Sequence, residues 1–122
     1  MDEPAASDVD QLVGDWLTLP DLAEVLGLDI LKVRQLVRDR QVAVLRRGER
    51  RIVSVPAAFV LDGQLVKGLT GLLTVLADGG FQANEALRWM FTADDTLPGA
   101  PIRALRENRG TEVRRRAQAL AM

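Results

Sequence analysis

The sequence predicts a mainly α-helical fold with a small β-hairpin, a winged helix-turn-helix followed by a helical C-terminal extension. Three observations predict it. Two short helical patterns meet at a glycine, Gly27; a pair of β-prone runs follows them; and four arginines flank the turn between those runs at Gly48-Glu49. We expect a mobile acidic tail over residues 1–11, a winged helix-turn-helix over 12–60 and a helical domain over 61–122.

The tail expectation rests on composition, since Met1 to about Val9 is rich in Pro, Ala and Asp and poor in apolar residues. Order should begin near Leu12 to Leu17. Thr18-Leu19-Pro20-Asp21 has the form of a helix start, with Thr18 as N-cap, Pro20 tolerated in the first turn and Asp21 placed to close a capping box. Leu22, Val25 and Leu26 then share one face, and Gly27 supplies the backbone freedom of the turn. Asp29 can cap a second helix over residues 29–40. On it Ile30, Val33, Leu36 and Val37 form an apolar stripe that should bury against the first helix, which leaves Leu31, Gln35 and Arg38 facing outward with Lys32, Arg34 and Asp39 on the flanks.

Val42–Leu45 and Ile52–Val55 read as hairpin strands, joined by Arg46 to Arg51 with Gly48 at the tip and Pro56 closing the second strand. Further on, Pro56–Leu61 fits one short turn around Phe59. Leu69–Leu76 reads as a buried helix stopped by Asp78-Gly79-Gly80, Asn84–Phe91 as a helix that breaks in Thr92–Pro101, and Thr111–Met122 as a terminal helix. The arginines of that terminal helix, Arg114, Arg115 and Arg116, suit either a solvated face or a second phosphate contact, and Trp89 suits a core or an interface.

Charge is segregated. The whole chain carries 16 Lys and Arg against 17 Asp and Glu, net −1, yet residues 1–29 hold eight acids and no base, and residues 30–60 hold eight bases and two acids. Screening limits each charge to a neighbourhood of roughly 8–10 Å, so local sign decides attraction to phosphate more than the total does. The outward helix face offers an amide, a guanidinium and an aliphatic group to a major groove about 12 Å wide. Clustered arginines on a tight turn would repel one another unless phosphates or a narrow minor groove received them. The expected DNA-binding residues are therefore Leu31, Lys32, Arg34, Gln35 and Arg38 on the recognition helix, with Arg46, Arg47, Arg50 and Arg51 on the wing. The expected partner is double-stranded DNA. Because one such module binds weakly, a homodimer or head-to-tail array through the apolar C-terminal half is the natural assembly.

Other classes fare worse. The chain has no His and no Cys, so it lacks the usual metal ligands, thiol chemistry and neutral-pH proton shuttle. No phosphate-binding glycine loop or nucleophile elbow is present, so no enzyme, no cofactor and no metal are expected. Met1–Asp15 is acidic where a secretory signal would begin basic, no apolar run reaches the ~18 residues of a membrane span, and a cytoplasmic protein without membrane attachment is expected.

Two resemblances rest on these residues. Thr18-Leu19-Pro20-Asp21-Leu22-Ala23-Glu24-Val25-Leu26-Gly27-Leu28, with the basic helix and Arg-rich wing, resembles the MerR/excisionase-type winged helix. Gly63-Gln64-Leu65-Val66-Lys67, Gly71–Leu76, Asp78-Gly79-Gly80, Glu85, Arg88–Thr92 and Arg114–Ala119 are similar to a small actinobacterial family of winged-helix DNA-binding proteins. That resemblance implies cytoplasmic DNA binding through the N-terminal winged helix, a helical C-terminal domain of uncertain role, and control by Ser/Thr-kinase phosphorylation of the N-terminal tail; the function expected is that of a transcriptional regulator or an architectural DNA binder. The sequence departs from it there, because the tail before Trp16 contains no Thr and a single hydroxyl, Ser7. Alternatively, Trp89-Met90-Phe91, Thr96–Pro101 and Gly110 are similar to the toxin-binding domain of some helix-turn-helix antitoxins, which implies a protein partner for the C-terminal half.

Overall fold

The structure, a computed structural model, describes residues 4–121, with side chains from Asp8 onward. Its elements run α1 (Pro4–Val13), β1 (Trp16–Thr18), α2 (Leu19–Leu26), α3 (Ile30–Arg38), β2 (Leu45–Arg47), β3 (Ile52–Pro56), a 3-10 turn (Ala57–Phe59), β4 (Val60–Leu61), β5 (Gln64–Leu65), α4 (Leu69–Asp78), α5 (Ala83–Phe91), α6 (Pro101–Arg106) and α7 (Gly110–Ala121). The chain is mainly helical with small antiparallel sheets, as the sequence predicts for a winged helix with a helical C-terminal region.

Local signals set the helix-turn-helix. The Thr18 hydroxyl accepts from the Asp21 N–H at 3.3 Å and the Asp21 carboxylate accepts from the Thr18 N–H at 3.4 Å, closing the expected capping box. The Asp29 carboxylate accepts from the Leu31 N–H at 3.0 Å, so α3 starts where its cap demands. Four helix ends then share one device. In α2, α3, α4 and α6 a residue with φ of 66°, 57°, 92° and 67° (Gly27, Arg40, Gly80 and Asn108) donates back to the carbonyl three residues earlier, while the next N–H donates to the carbonyl five residues before it. This is the Schellman termination, in which glycine is the easy choice at the left-handed position. At Arg40 the chain uses an arginine instead.

The three-stranded sheet has order β1-β3-β2, with Thr18 and Leu45 both opposite Ser54 on the central strand. Strand β2 lies three residues later than expected, at Leu45–Arg47, and the turn contracts to residues 48–51. Val42 and Ala43, expected in the strand, are buried as coil; their apolar character serves the core, and pairing starts only where Leu45 comes opposite Ser54.

Five elements were not anticipated: α1, the short strand β1, strands β4 and β5, and α6. The N-terminal helix α1 replaces the mobile tail expected over 1–11, so far as residues 4–11 are concerned; residues 1–3 and the Ser7 side chain lie outside the described set. Its order is tertiary in origin, because Val9 is fully buried and the helix packs on α5 and β2. Strands β4 and β5 pair around Asp62-Gly63, both with positive φ, a two-residue hairpin signal overlooked in so short a segment. Helix α6 has six residues, beginning at Pro101, and three of its side chains beyond the proline are buried: Ile102, Ala104 and Leu105.

A single core runs through both halves, including Leu22, Val33, Val55, Phe59, Leu72, Leu87, Met90 and Val113. Helix α7 lies along α4, and the absence of a side chain at Gly79 allows this, since a Cβ there would sit 2.5 Å from that of Ala121. Phe59 packs against Phe91 with ring centroids 6.3 Å apart. Beside that seam the Arg106 guanidinium donates from Nη1 to the carbonyls of Ala58 and Val60, both at 2.7 Å, and so fastens α6 to the corner that leaves β3. Farther out, the Asp94 carboxyl lies below its ordinary value because the Thr96 hydroxyl and N–H donate to it, and Arg116 in turn donates to Thr96. The stability this turn contributes is present at neutral pH and is lost as the pH falls through the lowered value.

Replacing Arg106 by Ala should lower unfolding stability by about 2–3 kcal/mol, because two hydrogen bonds from a charged donor disappear and leave partly buried carbonyls behind. Urea denaturation followed by far-UV circular dichroism measures this, and a loss below about 0.5 kcal/mol would mean the clasp is ornamental.

Candidate nucleic-acid interface

Helix α3 is held by its inner face: Val33 is fully buried and Ile30, Leu36 and Val37 are half-buried against the core. The outer face carries Leu31, 66% exposed, with Lys32, Arg34, Gln35 and Arg38 also exposed. Gln35 is oriented by its neighbours. Its Oε1 accepts from Arg38 Nη2 at 2.8 Å and its Nε2 donates to Asp39 Oδ1 at 2.9 Å, which fixes which end of the amide points which way. The helix thus displays an aliphatic side chain, a guanidinium and a pre-set amide over about two turns of surface.

On the hairpin, Arg46, Arg50 and Arg51 are exposed, and Ile52 beside them is 48% exposed. Among the described residues none of these three arginines, nor Lys32 or Arg34, enters an ion pair. Arg51 holds φ at 55°, so the turn places a charged residue where glycine would be easier.

Arg47 has a different setting. Its Nε and Nη2 donate to the two carboxylate oxygens of Asp10 at 2.9 and 3.0 Å, and its guanidinium lies 5.0 Å from the Trp16 ring centroid. The Trp16 indole N–H donates to the Asp10 carbonyl at 3.2 Å, and Asp8 on the same helix faces Arg88 of α5 at 3.8 Å. The expected site residues therefore divide: five lie together on α3, three stand free on the wing, and Arg47 is engaged with the acidic helix. Sequence reasoning missed Asp10 and Trp16 as the groups that engage Arg47. The Val9, Leu12 and Val13 spacing was the available signal that α1 is a helix with a face to bury.

A capped two-helix unit with a tight glycine turn, an outward second helix and an arginine-bearing hairpin sewn into a three-stranded sheet defines a winged helix-turn-helix protein. Residues 4–60 match the family described as "DNA-binding protein Rv2175c, wHTH domain", and residues 66–121 match the "Rv2175c C-terminal domain of unknown function". The chain is 38% identical to the "DNA-binding protein Rv2175c" of Mycobacterium tuberculosis (strain ATCC 25618 / H37Rv), over 97% of this chain and 88% of that protein. The NMR structure of Rv2175c is similar as well, with a TM-score of 0.80 and 38% identity over 88% of this chain and 82% of that one. This chain belongs to the Rv2175c family. No helix among the described residues is long and apolar enough to cross a membrane.

Asp10→Asn should release Arg47 while costing about 1 kcal/mol or less, since both partners are about one-third exposed. Chemical denaturation together with the Trp fluorescence maximum checks this, as Trp16 loses its cation neighbour; an unchanged spectrum would show that the pair does not persist in solution.

Proposed function

We propose that this protein binds double-stranded DNA, with α3 in the major groove and the wing on flanking phosphates or the minor groove, as a transcriptional regulator or architectural DNA binder. The observation that carries the reading is the outer face of α3, where Leu31, Gln35 and Arg38 are exposed on a helix whose opposite face is locked into the core. The relative's name, a DNA-binding protein, agrees with it.

The chemistry divides by residue type. The oriented Gln35 amide suits the N6/N7 edge of adenine, Arg38 the O6/N7 edge of guanine, and Leu31 a thymine methyl. Reaching a base requires Gln35 and Arg38 to exchange their mutual hydrogen bond for base contacts, so both act as a unit. Lys32, Arg34, Arg46, Arg50 and Arg51 supply positive charge for phosphates and fix register without reading sequence. Arg47 reaches DNA only by leaving Asp10, which makes α1 a competitor carrying its own carboxylates.

Replacing Arg50 and Arg51 together by Ala should weaken binding to all duplexes alike and reduce the slope of log affinity against log salt by about 2, one unit for each lost phosphate contact. Gln35→Ala should instead alter preference among sequences, with a discrimination loss of roughly 1–3 kcal/mol at one base step. Fluorescence anisotropy with labelled duplexes across about 50–200 mM salt reads both effects. Salt-insensitive binding, or no difference between wild type and the double variant, would remove the wing from the interface; absence of binding at the lowest salt would refute the DNA reading.

A further inference from the structure

The junction of the two halves contains a half-open pocket of about 380 Å³, within the range of small-molecule sites. Its walls come from the last turn of α3, the coil that enters β2, and the ends of α4 and α5. The lining is mostly hydrocarbon: Val37, Val42, Val44, Leu73, Phe81 and Ala86. One cation borders it, Arg40.

Arg40 shares two properties with Arg51 of the wing turn, and of the two Arg40 is the one that lines this pocket. Among the described residues its guanidinium has no ion-pair or hydrogen-bond partner, although Asp39 is its chain neighbour. Its backbone holds φ at 57° in the Schellman position, where two of the three other helices with this ending place glycine and the third asparagine. A long, branched, charged residue in the left-handed region is disfavoured, and such local strain is characteristic of positions kept for a role. An apolar chamber with one unpaired cation at its border complements one chemistry, a hydrocarbon body bearing a single negative group.

We propose that this cavity binds an apolar monoanion, a carboxylate or sulfonate on an aliphatic or aromatic body, with the anionic group on Arg40 and the body between Val37, Val44 and Phe81. Because Val37 belongs to the last turn of α3 and residues 42–44 lead into β2, an occupant touches both the helix and the root of the wing. Its influence on DNA rests on the DNA-binding reading; the binding itself does not.

The probe is 8-anilinonaphthalene-1-sulfonate, titrated by fluorescence into the full chain in its native state. The expected result is saturable single-site binding that decanoate displaces and decanol at the same concentration does not. Arg40→Gln should weaken probe affinity by about fivefold or more while leaving the thermal transition in place. Ala77→Phe, which fills the chamber from α4, should abolish binding with far-UV circular dichroism unchanged. Equal affinity in wild type and Arg40→Gln, equal displacement by decanol, or no saturable binding would each overturn the proposal, and the Arg40→Gln comparison stands even if Ala77→Phe does not fold. None of these readouts involves DNA, so failure here leaves the DNA experiment intact and the reverse holds too.

Discussion

The seam between the two halves depends on one corner of backbone. After the central strand β3, the chain turns through Ala57–Phe59, drives Phe59 into the core and lays the carbonyls of Ala58 and Val60 against the Arg106 guanidinium. The contact joins residues 46 and 48 positions apart in sequence and supplies direction that apolar packing lacks. With α6 fixed, Leu105 and Val113 close the core beneath α7, and α7 in turn lies on α4. The helix-turn-helix therefore stands on a base assembled by the C-terminal half, and the two matched family segments share one hydrophobic core.

What the sequence makes legible follows from the range of the forces involved. The Thr18-Asp21 box, the Asp29 cap and the Gly27 turn are local hydrogen-bond chemistry, and each could be read from four or five adjacent letters. The exposed side of α3 was legible because the apolar stripe at Ile30, Val33, Leu36 and Val37 determines the opposite face. Helix α1 was not, because its composition argues for disorder and its order comes from Val9, Asp10 and their partners in α5 and β2. The engagement of Arg47 was hidden for the same reason: Asp10 lies 37 residues away, and nothing in a local window pairs them. Strand β2 slid because periodicity gives which residues prefer a pleat, while register is decided by what Ser54 can pair with.

The helix endings show how the same geometry can be reached with different residues. Gly27 and Gly80 adopt the left-handed position without a Cβ penalty, Asn108 tolerates it, and Arg40 occupies it against preference. The disfavoured choice falls just beyond the end of α3, where the coil entering β2 and the apolar pocket meet. Arg51 repeats it at the wing turn. At both points the chain accepts a less favoured backbone conformation at a charged residue.

Helix α1 is held by one buried valine and by ion pairs that water reaches. Added salt screens Asp10 from Arg47, so the seating of α1 on β2 loosens as the electrolyte rises.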